Sequence, residues 1–221
     1  MTVVATGAPT RVLFGLRVAA LTRNQTVRLA DEALRERRRL MIGVVNAAKI
    51  AKLRADRTLR DSLLSCDVLL ADGQSVVWAS RLLRRPLPER VAGIDLFEQL
   101  LALADLQGRR VYLLGARPEV LSALETVIAE RFPGVVLAGS RDGYFTDDES
   151  EQVAVDIAAS EADLLFLGMT TPKKEIFLGR YGAGLGVPVL HGVGGSFDVL
   201  ANLTRRAPLR LQRLGLEWAY R

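Results

Sequence analysis

Seven short apolar runs, most of them followed by a helical pattern, recur along this chain, and that alternation limits its fold more than any other feature. The runs are residues 12–18, 40–45, 68–71, 110–114, 135–138, 163–167 and 187–190. They are nearly continuous rather than alternating with polar residues, as strands buried on both faces are. The spacing predicts helices over residues 26–38, 47–64, 74–83, 93–104, 118–131, 147–160 and 175–181, then 196–201 and 208–220. Pro118 suits a first helical turn, where its missing N–H is not needed. Thr146 with Glu149 three residues on has the capping-box pattern. Strands alternating with helices build right-handed βαβ units. The expected architecture is an α/β, Rossmann-like α/β/α sandwich around a mostly parallel sheet. Residues 1–203 read as one core, and residues 204–221 as a basic C-terminal helix.

A chain of 221 residues buries enough surface to need no metal or disulfide staple. Its one cysteine, Cys66, excludes a disulfide framework or zinc cluster and reads as a small buried core residue. Residues 1–10 lack a basic region followed by an apolar stretch, so no secretory signal is expected. No apolar run reaches the roughly 18 to 20 residues that span a bilayer, and a soluble or peripheral protein is expected. The net charge is +5 and the arginines gather in groups: Arg35, Arg37, Arg38 and Arg39; Arg81, Arg84, Arg85 and Arg90; Arg205, Arg206, Arg210, Arg213 and Arg221. Solvated helix faces and attraction to phosphate, whether of a nucleotide, a nucleic acid or an anionic lipid, both fit. Aromatic residues are only 6% and are not interleaved with the basic groups, which argues against nucleic acid.

Binding chemistry in open α/β sheets sits past the C-terminal ends of the strands. Those ends carry Asn46-Ala-Ala-Lys49, Asp72-Gly73-Gln74, Gly115-Ala-Arg-Pro-Glu119, Asp142-Gly-Tyr-Phe145, Gly168-Met-Thr-Thr-Pro-Lys-Lys-Glu175 and His191-Gly-Val-Gly-Gly-Ser-Phe-Asp198. Asp72, where an apolar run stops abruptly, is the best single candidate for a catalytic base. Gly115 to Arg117, with Ala116 between them, and the turn holding Gly192, Gly194 and Gly195 read as loops whose N–H groups can meet a phosphate. No Gly-x-Gly-x-x-Gly follows the first strands and no P-loop is present, so a nucleotide would be held differently. His191, the one histidine, reads as a structural residue, and a nitrogen- or sulfur-ligated metal is not expected. There is no Asp-x-Asp pair, so arginine, lysine and backbone N–H groups would have to neutralise a leaving diphosphate. Tyr144 and Phe145 fit core packing or base stacking. Lys173 and Lys174 oppose the dipole of the helix they begin, as a local anion would explain. Lys49 and Lys52 read as helix-surface charges.

Several stretches together resemble one family: Asp72-Gly-Gln, Glu89-Arg-Val-Ala-Gly93, Tyr112-Leu-Leu-Gly-Ala116, Phe132-Pro-Gly134, Gly143-Tyr144, Pro172-Lys-Lys-Glu175, Gly192-Val-Gly-Gly-Ser-Phe-Asp198, Arg206-Ala-Pro208 and Gly215-Leu-Glu-Trp218 to Arg221. In order and spacing they resemble the WecG/TagA/CpsF family of bacterial glycosyltransferases over about residues 12–221. Asn46-Ala-Ala-Lys-Ile and the Lys-Lys-Glu variant look closest to its exopolysaccharide branch, similar to the xanthan-type glucosyltransferase. The resemblance implies inverting transfer of a hexose from a UDP-sugar to a polyprenyl-diphosphate-linked acceptor at the inner membrane face, with no metal or other cofactor. It makes Asp72 the base, sets Arg90 on the donor diphosphate, puts Asp198 near the nucleotide and brings Asn46 into the active site. Gly73, Gly115, Ala116, Arg117, Tyr144, Lys174, Gly192, Gly194 and Gly195 are the expected substrate- or nucleotide-binding residues. The resemblance also implies self-association into a homo-oligomer, and makes residues 204–221 the start of a membrane-docking appendage. Two departures stand out: Val44 where many members carry threonine, and Lys174 where many carry glutamine. They suggest a donor other than N-acetylmannosamine. A non-catalytic nucleotide-sugar-binding protein, or an NAD-dependent oxidoreductase lacking its glycine fingerprint, are the competing readings.

Overall fold

The computed structural model describes residues 7–204 and Pro208. The helix expected over 208–220, the basic appendage over 204–221 and the third arginine group lie outside the described residues, apart from Thr204 and Pro208.

The first apolar run is not one strand. Residues Thr10–Leu13 (β1) and Leu16–Ala19 (β2) pair antiparallel around a two-residue turn, Phe14-Gly15. Both turn residues have positive φ, 55° and 76°, as the turns that match strand twist require. Phenylalanine is an unusual residue there, which is why the turn is hidden in the sequence. The expected helix 47–64 is also broken. It splits into Ala47–Lys52 (α2) and Arg57–Leu64 (α3), because Asp56 starts a new helix by accepting the Leu59 N–H at 2.8 Å. Arg23–Arg35 (α1) begins earlier than expected, at a capping box formed by Thr22 and Gln25.

The remaining elements follow the expected order: Leu40–Val45 (β3), Val68–Ala71 (β4), Gln74–Leu82 (α4), Gly93–Gln107 (α5), Arg110–Gly115 (β5), Pro118–Arg131 (α6), Val136–Arg141 (β6), Ser150–Ala159 (α7), Leu164–Gly168 (β7), Lys173–Tyr181 (α8), Val189–Gly192 (β8) and Ser196–Leu200 (α9). The Glu149 carboxylate does bond back to the Thr146 N–H at 2.7 Å, but helix α7 starts only after the intervening turn.

Six strands form one sheet in the order β4-β3-β8-β7-β5-β6, every pair parallel. This is the expected α/β class, a Rossmann-like sandwich. Alternate residues of each central strand face opposite layers. Leu40, Ile42, Val44 and Val189 join one core with residues of α1, α5, α6 and α9; Met41 and Leu190 join a second core with residues of α7 and α8. Val45 and Ala71 join a third, closed by the hairpin and by residues of α3 and α4. Phe97, Phe166 and Phe197 anchor the first, with ring centroids 4.6 and 5.5 Å from Phe97. Strand β5 hands the chain outward to β6, whereas its neighbour β7 hands it inward to β8. The crevice between loops that leave in opposite directions is where such sheets bind ligands.

Candidate active site

Across the sheet's C-terminal edge, the expected site residues fall in a row: Asp72 and Gly73 after β4, Asn46 after β3, Gly192 to Gly195 after β8, Lys174 beyond β7, and Gly115 to Arg117 after β5. Four strand spacings separate the two ends, about 19 Å at ~4.8 Å per strand. That is comparable with an extended nucleotide sugar.

Asp72 is half-buried. Its backbone N–H donates to the Val45 carbonyl at 3.0 Å, so the residue continues the register of β4 beside β3. One carboxylate oxygen accepts the Gly93 N–H, at the start of α5, at 3.1 Å. Arg90 Nε donates to the Asp72 carbonyl at 2.8 Å, which brings base candidate and arginine together across 18 residues of chain. Gly73 sits against Asn46: a Cβ on Gly73 would lie 3.3 Å from the Asn46 Cβ. Asn46 spends its side-chain oxygen as the cap of α2, accepting the Lys49 N–H at 3.0 Å.

Lys49 is not the surface charge its sequence suggests. It is buried, donates to the Val44 carbonyl at 2.7 Å and pairs with Glu175 at 2.8 Å. Lys174, also buried, meets the same Glu175 oxygen at 3.0 Å and bonds Thr171 Oγ1 at 2.8 Å. Two ammonium groups against one carboxylate leave a net positive charge below the glycine turn. Burial and the neighbouring Lys49 push the Lys174 pKa down, against the pull of Glu175 and Asp72. Burial alone would raise Glu175; the two lysines outweigh it and hold the carboxyl below its ordinary value. Such a charge is costly without a partner, and an anionic ligand would supply one. The two positions read from the sequence as departures, Val44 and Lys174, line one small cavity with Lys49, Glu175 and Gly192.

The glycine turns contribute less than the sequence suggests. The N–H groups of Val193 and Gly194 both bond to the Leu167 carbonyl, and that of Ala116 to Gly168. Within the turn the Gly195 N–H is without a partner among the described residues. The glycines instead permit close packing. The Lys174 side chain would lie 3.2 Å from a Cβ at Gly192 and 3.7 Å from one at Gly194. Gly115 has φ +118°, and a Cβ there would lie 2.9 Å from the Gly168 backbone.

At the β5–β7 crevice a cleft of about 590 Å³ is lined by Ala116, Arg117, Tyr144, Thr170, Lys173 and Asp198, among others. Tyr144 is 73% exposed and presents a free ring, whereas Phe145 is core. Arg117 approaches Asp198 at 3.9 Å. Lys173 ties the Gly143–Phe145 loop down through the Gly143 and Phe145 carbonyls at 2.9 and 2.6 Å.

His191 lies beneath this row, fully buried between Ile42 and Phe166 in the sheet. Its Nδ1 faces the Ile42 carbonyl at 3.1 Å and so carries the proton. Burial pushes its pKa down to about 4, so it is neutral. Cys66 packs its sulfur on Gly43, and burial pushes the thiol up to about 12. Both are structural. The sequence reading missed the roles of Lys49, Glu175 and the Gly93 N–H; the Lys-Lys-Glu run was the one signal for Glu175.

The chain matches the family model described as glycosyl transferase, WecG/TagA/CpsF family, over residues 11–221. It is 41% identical over 159 residues to an N-acetylglucosaminyldiphosphoundecaprenol N-acetyl-beta-D-mannosaminyltransferase of Bacillus spizizenii, covering 72% of this chain and 61% of that protein. It is 38% identical over 166 residues to the protein of the same name from Bacillus subtilis, covering 75% and 64%. The matched part thus spans less than two thirds of each relative. The row of residues described above lies wholly within the family match, and the chain belongs to the WecG/TagA/CpsF family of glycosyl transferases.

Proposed function

We propose that this protein is an inverting glycosyltransferase that moves a hexose from a UDP-sugar to a polyprenyl-diphosphate-linked acceptor in exopolysaccharide or other cell-surface polysaccharide synthesis. The observation that carries the reading is the order of groups along the sheet edge: a carboxylate at one end, a buried net cation in the middle, an exposed aromatic ring over a cleft at the other. Tyr144, with Arg117 and Asp198 beside it, takes the nucleoside. Lys174, backed by Lys49, takes the diphosphate in the middle, and Arg90 approaches it from the β4 side. Asp72 accepts the proton of the acceptor hydroxyl, whose oxygen attacks the anomeric carbon from the face opposite the departing UDP. The bond from the anomeric carbon to the diphosphate breaks as the new glycosidic bond forms, which inverts the configuration. The negative charge that develops on UDP meets fixed cations that need no rearrangement. Gly93 holds the Asp72 carboxylate in place without consuming both oxygens.

The relatives' names favour a second donor, an N-acetyl-β-D-mannosaminyl group. The buried charge at Lys174 beside Val44 favours a different sugar. Thermal stabilisation by UDP-glucose, UDP-galactose, UDP-N-acetylmannosamine and NAD, followed by transfer assays with a polyprenyl-diphosphate acceptor, separates them. A ligand bound at 100 times its Kd adds about 2.7 kcal/mol of stability. Stabilisation by a UDP-hexose with transfer is expected. Stabilisation without transfer would mark a binding protein, and a response to NAD alone would overturn the reading.

A further inference from the structure

Helix α4 leaves the catalytic strand end directly, beginning one residue after Gly73, and its outer face is not covered among the described residues. Trp78 and Leu82, at i and i+4, are 48% and 85% exposed. Leu83 is exposed beyond them. Arg85 Nη1 donates to the Val12 carbonyl at 2.7 Å, so the outer surface of the β1–β2 hairpin adjoins the end of α4. That surface presents Val12, paired across the hairpin with Arg17, and the 43%-exposed ring of Phe14 at the tip. Phe14 holds φ 55°, a backbone conformation that costs a bulky residue energy and would suit asparagine or glycine better. The ring stays 43% exposed, so packing among the described residues does not explain it.

Charge separates this surface from an ordinary exposed face. Residues 7–22 and 73–88 hold Arg11, Arg17, Arg81, Arg84 and Arg85 and no acidic residue. Among the described residues none of these five forms an ion pair. A second copy of the chain meeting this face in an isologous contact would set like charges against each other. An anionic bilayer meets both halves of the pattern. Guanidinium groups take lipid phosphates, a tryptophan sits at headgroup level, and aliphatic side chains reach the acyl boundary.

We infer that the outer face of α4 and the hairpin tip form a docking surface for an anionic lipid bilayer. Docking there holds α4 against the membrane and sets Asp72, two residues before the helix, at a fixed distance from the headgroups. The inference deepens the proposed function and rests on it only for the lipid anchor of the acceptor.

The test uses the full chain and vesicles of phosphatidylglycerol and phosphatidylcholine in equal parts, against phosphatidylcholine alone. The wild type should sediment with the mixed vesicles and be released by salt. Arg81→Gln with Arg84→Gln should lower that affinity about thirtyfold, at ~1 kcal/mol per charge. Trp78→Ser with Leu82→Ser should lower it further. Both variants should keep the wild-type Tm and wild-type transfer to a short-chain, water-soluble acceptor. In a Trp218→Phe background, which leaves Trp78 as the one tryptophan, its emission should shift to the blue when mixed vesicles are added. Variants that bind mixed vesicles like the wild type, or a Trp78 emission that does not move, would overturn the inference. So would variants that change only self-association, which would make the face a contact between copies. Absence of transfer by a wild type that binds vesicles normally would defeat the proposed reaction and leave the docking surface standing.

Discussion

His191 is the chain's one histidine, yet it does no chemistry at the site; it is buried in the sheet with its pKa pushed down to about 4. An unfolded chain binds that proton near pH 6.5, so stability attributable to His191 is present at neutral pH and declines as the pH falls through 6.5. By pH 5 the loss should be about 2 kcal/mol. Denaturant midpoints at pH 7 and 5 measure it, and His191→Gln should flatten the slope. A wild-type midpoint that does not fall between these values would show the imidazole is not held neutral. Lys174 gives the opposite kind of test. Replacing it with methionine leaves Lys49 and Glu175 as a balanced buried pair, so stability should hold or rise. Affinity for UDP should fall by roughly tenfold to a hundredfold, the value of a hydrogen bond to a charged group. Calorimetry with UDP reads this directly. Unchanged UDP affinity would mean the buried charge does not face the diphosphate.

The elements place these residues, and the joints between elements are where the sequence was least legible. Strands β3, β4 and β5 and helices α4 and α6 begin and end within a residue or so of the expected limits, because continuous apolar runs and proline or glycine boundaries are local signals. The hairpin turn at Phe14-Gly15 and the break at Asp56 escaped because a turn with an aromatic residue, or a single capping carboxylate inside a helical pattern, carries little weight against periodicity. Lys49 escaped for a different reason. Its burial depends on Glu175, 126 positions away, and no local pattern reports such a pairing. Asp72, by contrast, was legible from the abrupt end of its apolar run. One joint deserves a direct test. Asp67, just before β4, accepts Arg39 at 2.9 and 3.2 Å and the Met41 N–H at 2.8 Å, with its side chain fully buried. Asp67→Ala removes the partner of the partly buried Arg39 guanidinium and of a strand N–H, and should cost about 3 kcal/mol. Because Asp67 lies at the end of β4 opposite Asp72, turnover per folded molecule should be unaffected. Loss of turnover without loss of Tm would contradict the division between scaffold and site.

At the scale of the whole molecule, the parallel sheet turns a string of separated motifs into a line of groups ordered like the parts of a nucleotide sugar. Within it the central claim is that Asp72 is the base. Removing a general base lowers transfer by about 10²–10⁴-fold, while the donor diphosphate is held by the cations Lys174 and Arg90 and needs no carboxylate at β4. The most direct measurement is Asp72→Asn, with UDP-sugar affinity by calorimetry and transfer to the lipid-linked acceptor measured separately on the same preparation. The account predicts near-normal donor affinity with transfer reduced by that factor; near-normal transfer by Asp72→Asn would contradict it.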